Sequence, residues 1–141
     1  EMCIRDSLIE HGAEVNLYTK QFKQSPLYLA VKSASTATVK ALLKAGADPN
    51  HPSDDLHYTP LMAAGSMNSE DMVATLLEGR ADPTVKIKRC RRVSDKLTCR
   101  EQTALNFVKT LGKSHTHMAS LLQLAEKEWL MSHKESYRLL E

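Results

Sequence analysis

Residues 85–100 read VKIKRCRRVSDKLTCR. In this stretch Lys86, Lys88, Arg89, Arg91, Arg92, Lys96 and Arg100 stand against Asp95 alone, a net +6 in a chain whose total is +2, so the remainder carries −4. Cations this dense attract carboxylate or phosphate groups, and their mutual repulsion works against packing on the body of the protein. An exposed, mobile loop is expected unless something negative meets it. Val85, Ile87 and Val93 alternate with charge, which also fits a short hairpin. The same stretch holds Cys90 and Cys99. In a reducing setting they are free thiols in a loop; under an oxidant they form a disulfide, and the sequence leaves both open. With His115 and His117 they supply zinc-type atoms, but C-x8-C followed by H-x-H matches no common finger, and the two histidines read more simply as a polar turn between helices. No metal is expected.

Arg91-Arg92-Val93-Ser94 resembles the R-R-x-S target of basophilic protein kinases. A phosphate on Ser94 would add about −1.5 to −2 charges and weaken the pull of the segment on an anion. Catalytic signatures are missing: there is no G-x-S-x-G, no P-loop, no H-E-x-x-H and no G-x-G-x-x-G. The reading is therefore of a non-enzyme with no cofactor and no small-molecule substrate.

Composition sets the frame that must position these residues. The chain has 141 residues, 42% hydrophobic and 26% charged, ordinary for a soluble domain with its own core. Aromatics supply only 5%, so the interior is built from Leu, Ala, Val and Met, which favours helices. There is no run of about 18 apolar residues, so no spanning helix is expected. Three cysteines are too few and too odd for a secreted disulfide framework, which points to an intracellular setting, cytoplasmic or nuclear.

Three phrases repeat 34 residues apart: LIEHGAEVN from Leu8, LLKAGADPN from Leu42 and LLEGRADPT from Leu76. A second set keeps step, SPLYLA from Ser25 and TPLMAA from Thr59, while TALNFV from Thr103 comes 44 later, ten residues late. Fixed self-similarity at this period marks a solenoid, whose units bury their apolar faces only against one another. In each unit Ser25-Pro26 or Thr59-Pro60 starts a helix with a capping hydroxyl and a proline at the first turn. About ten residues later Ser35, Ser69 and Ser114 stand where a second helix would be capped, followed by Val39, Val73 and Met118 and by the Leu42-Leu43, Leu76-Leu77 and Leu121-Leu122 pairs. Gly46 and Gly79 end the second helices. Arg80 replaces the glycine found at Gly46, so either a strained left-handed arginine or a cap shifted to Gly79 is expected.

These phrases, from Leu8 to about Ala125, resemble the ankyrin repeat. The resemblance implies an all-α solenoid of stacked helix-turn-helix units with β-turn or hairpin fingers and a C-terminal capping helix. The histidine that commonly follows T-P-L in that family is Tyr28, Met62 and Asn106 here, so its hydroxyl-to-imidazole bond is absent. The organisation read is residues 1–7 as non-native or disordered, a repeat array over 8–126 (partial unit 8–16, units at about 17–50, 51–84 and 85–126, with the basic finger insert at 85–102), and a helical extension over 127–141. The chain enters the pattern in mid-phrase, which suggests a longer parent. In the extension Glu126, Leu130, His133, Tyr137 and Leu140 share a face beside Trp129. The expectation is a helix covering the end of the stack; the alternative is an anchor for a partner.

By the same resemblance, the fingers and outward positions of the first helices hold a protein partner, which nominates Tyr18, Lys20, Phe22, His51, Asp54, His57, Lys88, Arg89, Arg91 and Arg92. Tyr18 and Phe22 act either as contacts or as packing between neighbouring fingers. The partner expected is a protein, acidic where it meets the basic finger. The competing reading is a nucleic-acid-binding or regulatory segment of a larger enzyme, with RNA, DNA or an import receptor reading KRCRR.

Overall fold

A computed structural model describes residues 14–21, 23–53, 58–94 and 96–138, without the side chains of 91, 93 and 135–138. The segment 1–7 and the first leucine phrase as far as Ala13 lie outside the described residues. Three helix pairs follow one another: α1 (Pro26–Lys32) with α2 (Thr36–Lys44), α3 (Pro60–Ser66) with α4 (Glu70–Glu78), and α5 (Ala104–Thr110) with α6 (Thr116–Arg138). Strands β1 (Ile87–Val93) and β2 (Lys96–Gln102) stand between the second and third pairs as an antiparallel hairpin. The expected all-helical solenoid therefore carries a small two-stranded sheet.

The first helices start as their sequences predict. The Ser25, Thr59 and Thr103 hydroxyls accept from the backbone N–H of Tyr28, Met62 and Asn106 at 3.1, 3.3 and 3.3 Å. Each such cap contributes about 1 kcal/mol. The second helices start differently. Ser35 and Ser69 occupy the N-cap positions, but their side chains accept no bond from the helix, and the Ser35 hydroxyl pairs with that of Thr38 instead. Ser114 does not cap α6. It lies within a 3-10 turn, Lys113–His115, with its hydroxyl on His115 Nδ1 at 2.8 Å. Met118 is buried at the place of Val39 and Val73, but one turn on the buried leucine differs: Leu42 and Leu76 are the buried members of their pairs, whereas in the third pair it is Leu122 rather than Leu121.

Each turn between paired helices holds a residue in the left-handed region: Ala34, Asn68 and Gly112, at φ of 56°, 54° and 98°. The same closure ends α2 and α4. Gly46 N–H donates to Leu43 O at 3.1 Å and Ala47 N–H to Leu42 O at 2.9 Å; Arg80 and Ala81 repeat this onto Leu77 and Leu76 at 3.0 and 2.9 Å. Arg80 thus takes the left-handed position at φ 64°, and the cap does not shift to Gly79. Packing supplies the reason for the displaced glycine. A Cβ on residue 79 would lie 2.5 Å from Leu43 Cδ1, so Gly79 lets the preceding unit close in.

The first helices stack α1 on α3 on α5, and α2 stacks on α4. Leu27, Leu61 and Leu105 from the first helices share one buried cluster with Val39, Leu42, Val73, Leu76, Met118 and Leu122 from the second. At the α3–α5 crossing Gly65 leaves no room for a side chain: a Cβ there would meet Val108 Cγ2 at 2.7 Å. The third second helix joins the row at its start, where His117 Nε2 lies 3.2 Å from Glu70 Oε1. Past Leu122 no described residue of α6 is buried.

Arg80→Gly should raise stability by about 0.5–1 kcal/mol, the relieved left-handed strain less the added freedom of the unfolded chain. Gly46→Ala should lower it by about 1 kcal/mol through backbone strain alone, because a Cβ there meets nothing within 4 Å. Urea midpoints at unchanged m-value check both.

Candidate partner-binding surface

The end of each repeat phrase links neighbouring fingers. Asn16 Oδ1 accepts from Asp48 N–H at 2.8 Å while its Nδ2 donates to Gly46 O at 3.2 Å. One unit on, Asn50 Oδ1 accepts from Asp82 N–H at 2.7 Å. The aspartates fold their own turns: Asp48 Oδ1 accepts from Asn50 N–H at 2.9 Å, and Asp82 Oδ1 from Thr84 N–H at 2.8 Å and from its hydroxyl at 2.6 Å. The G-A-D-P-N wording is therefore a relay of hydrogen bonds from unit to unit. It ends at Thr84, directly before the basic insert.

In the first finger Thr19 closes a turn, accepting on its carbonyl from Lys23 N–H at 2.9 Å and donating its own N–H to Gln24 O at 3.0 Å. Tyr18 stacks on His51 of the next finger with ring centroids 4.0 Å apart, yet stays 39% exposed. Two nominated residues are thus brought together by packing between fingers. Lys20 is exposed beside them. His51 is half-buried, and His51 Nε2 and Ser53 Oγ are buried with no hydrogen-bond partner among the described residues. Phe22, Asp54 and His57 lie outside the described residues.

The third finger is the hairpin. Its register pairs Arg89 with Arg100, Cys90 with Cys99, Arg92 with Leu97 and Val93 with Lys96, with Ser94 in the turn beyond. Cys90 and Cys99 are joined as a disulfide, the second of the two states that the sequence allows, and in this state neither sulfur is free to bind a metal. With the two positions nine apart in sequence, the bond contributes about 2.5 kcal/mol to the closed finger on a chain-entropy estimate. His115 Nε2 meets Ser66 O at 3.3 Å and His117 faces Glu70, so neither imidazole joins the cysteines. Among the described residues there is no group of three or more side chains able to hold a metal ion.

The finger is not held clear of the body as charge repulsion alone suggests. Ile87 is 5% exposed at its base, and the Arg89 guanidinium lies over the Tyr58 ring, 5.2 Å from the centroid. Tyr58 in turn packs on Phe107 at 4.6 Å. An aromatic surface offsets the repulsion by accepting one cation on its face. Lys88, Arg92, Lys96 and Arg100 are exposed; the side chain of Arg91 lies outside the described residues. Ser94 is exposed at the tip in a left-handed turn at φ 43°. Lys86 and Glu101 approach to 3.9 Å, a solvent-exposed pair of little energetic weight. Sequence reasoning counted Lys96 and Arg100 among the cations of the finger without nominating them as contacts, and it missed Tyr58. The signal was present, since Cys90 and Cys99 are equidistant from residues 94 and 95, but Ser-Asp is not a pair that announces a two-residue turn.

Beyond the hairpin, a cleft of about 790 Å³ opens between Asp82 and Thr84 on one side and α6 on the other, where Gln123, Lys127, Trp129 and Leu130 line it. Trp129 stacks on His133 at 4.2 Å, and His133 Nδ1 lies 2.9 Å from the Trp129 carbonyl oxygen. No helix among the described residues is long and apolar enough to cross a membrane.

Residues 3–87, more than half of the chain, match the family model described as ankyrin repeats (3 copies). The match stops where β1 begins, so the hairpin and the third described helix pair lie beyond it. No curated protein matches the chain significantly.

Asn50→Ala leaves the half-buried Asp82 amide without its acceptor and should cost about 1–2 kcal/mol, with faster hydrogen exchange at that amide. Asn16→Ala, at an exposed joint, should cost less. Urea titration and exchange measured by NMR test the pair, and equal losses would contradict the assignment of Asn50 as the stronger link.

Proposed function

This chain belongs to the ankyrin repeat family, and from that premise we propose that it holds an acidic segment of a protein partner along its fingers, with the basic hairpin as the principal contact. Ankyrin repeats generally serve as protein–protein interaction modules and are typically non-enzymatic scaffolds. The observation that carries the acidic preference is the pairing of Arg89 directly across from Arg100, with Lys88, Arg92 and Lys96 exposed nearby. Like charges opposed on a ladder destabilise it, and a bound carboxylate removes that penalty. Glu101 is close enough to Lys86 alone to form an ion pair among the described residues. Tyr18, Lys20 and His51, with Phe22, Asp54 and His57 from the sequence reading, extend the contact along the neighbouring fingers. Tyr18 and His51 together offer a partly exposed aromatic platform, the kind of feature on which interface energy concentrates. Phosphorylation of Ser94 at the hairpin tip would oppose capture of an anion.

The second reading, nucleic acid, rests on the same cations but demands different behaviour. Phosphate-backbone binding weakens log-linearly with salt through counterion release, and base stacking needs exposed aromatics beside the cations. The described aromatic closest to the hairpin, Tyr58, is occupied by Arg89 and Phe107. This favours the protein partner. Nuclear or cytoplasmic residence, and service as the regulatory segment of a larger enzyme, both remain compatible with a module of this kind.

Titration of the full chain with a fluorescent oligoglutamate peptide and with a single-stranded oligonucleotide of equal charge, over a salt series, tests the proposal. The peptide should bind at physiological salt, and Arg92→Glu/Lys96→Glu/Arg100→Glu should weaken it at least tenfold, about 1.4 kcal/mol, with unchanged helical circular dichroism. Peptide binding indifferent to the triple reversal, or oligonucleotide binding that exceeds it at physiological salt, would overturn it.

A further inference from the structure

The basic finger is stabilised very unevenly along its length. At its base Ile87 is buried and Arg89 rests on Tyr58. Outward from there no described side chain is buried: Cys90, Arg92, Ser94, Lys96, Leu97, Thr98, Cys99 and Arg100 are all exposed, with Leu97 at 64%. Only two strands pair in its sheet, and a two-stranded hairpin is marginally stable at best in water. The opposition of Arg89 and Arg100 weakens this one further. Besides the ladder itself, its outer part is constrained by the covalent bond between Cys90 and Cys99.

We propose that Cys90–Cys99 is a reversible thiol–disulfide exchange site, whose redox state decides whether the basic finger is a closed hairpin or an open loop. Both cysteines are exposed, so an attacking thiolate reaches a sulfur without disturbing the repeat core. Lys88 and Arg92 stand two residues to either side of Cys90, on the face of the ladder that carries the disulfide, and both are exposed. Cations so placed attract the incoming thiolate and stabilise the thiolate that leaves. The co-reactant is a small thiol or a protein dithiol. Its thiolate attacks one sulfur, the Cys90–Cys99 bond breaks and a mixed disulfide forms; a second thiol then releases the protein. Two electrons and two protons pass to Cys90 and Cys99, and the reductant leaves as its disulfide. A disulfide of the same class reverses the sequence. The body is spared because, of the finger's described side chains, its buried cluster takes Ile87 alone.

The inference does not depend on the partner proposed above, and its test uses none. The full chain is equilibrated in native buffer with glutathione at stepped ratios of reduced to oxidised form, then alkylated, and Cys90 and Cys99 are quantified by peptide-resolved mass spectrometry. Limited trypsin digestion and far-UV circular dichroism are run on the same samples. Both thiols should appear together, reversibly, with the helical signal unchanged. Tryptic cleavage between Lys88 and Arg100 should accelerate at least about tenfold on reduction, since proteolysis tracks the population of the open form. Cys90→Ser/Cys99→Ser should be cut at that faster rate with or without reductant. A bond that yields only under denaturant, or a finger cut at the same rate in both redox states, would refute the proposal.

Discussion

Helices of seven and nine residues do not sustain themselves in water, because nucleation costs more than so few hydrogen bonds return. Everything in this chain follows from the need of each short pair to lean on the next. The row Leu27, Leu61 and Leu105 sits at the same place in successive first helices and is buried throughout. The residue after each leucine shows where the leaning stops: Tyr28 and Met62 are buried, but Asn106 in the last first helix is exposed. A polar residue at the end of such a row costs nothing, whereas a polar residue inside it would lose its water without gaining a partner. The glycines obey the same constraint, since Gly65 and Gly79 are the points where neighbouring units approach too closely for a side chain.

The fingers are a by-product of that stacking that becomes a surface. Once the helix pairs are fixed at their repeat distance, the Asn16, Asn50 and Asp82 bonds hold successive finger bases in line, and the side chains at the tips inherit their spacing. Tyr18 meets His51 for this reason, although the two are far apart in sequence. The third finger departs from the scheme: its length exceeds what the relay can order, and its charge opposes compaction. Two local devices replace the relay, the arginine on Tyr58 at the base and the disulfide further out. Charge that would disperse in a loose loop is thereby concentrated on a defined ribbon.

Features set by local chemistry were legible from the residues. The capping hydroxyls of Ser25, Thr59 and Thr103, the prolines behind two of them and the leucine phrases specify helix starts and a buried face, and the hairpin was readable as alternating apolar and charged positions. Features set by long-range packing were not. Whether the cap at Arg80 moves to Gly79 depends on Leu43 in the preceding unit, invisible in any local window. Ser114 looks like a cap because Ser35 and Ser69 stand at the equivalent places, but it lies within a 3-10 turn, and Leu122 rather than Leu121 is the buried leucine. The cation–π contact of Arg89 joins two fingers across a stretch of sequence with no signature. The role of the terminal Asn in the repeated phrase escaped notice because its partners are the backbone amide and carbonyl of the next unit.

The third described unit departs from its predecessors in its second helix. Its predecessors end the second helix with a left-handed residue, Gly46 or Arg80, followed by a buried alanine, Ala47 or Ala81. No glycine or proline follows Gly112, so nothing forces α6 to close at the corresponding point, and it continues to Arg138 as one 23-residue helix, about 34 Å long at 1.5 Å per residue. Its first part does the work of its counterparts, with Met118 and Leu122 in the shared core. The remainder is sustained differently. Leu124, Leu130 and Met131 are 55%, 57% and 65% exposed, and Trp129 satisfies itself against His133 within the same helix. Its continuity there comes from good helix formers such as Ala125, Glu126, Lys127, Glu128 and Leu130 and from an already nucleated start, rather than from burial. α6 thus runs on past the point where its counterparts close, with its later described turns outside the shared core.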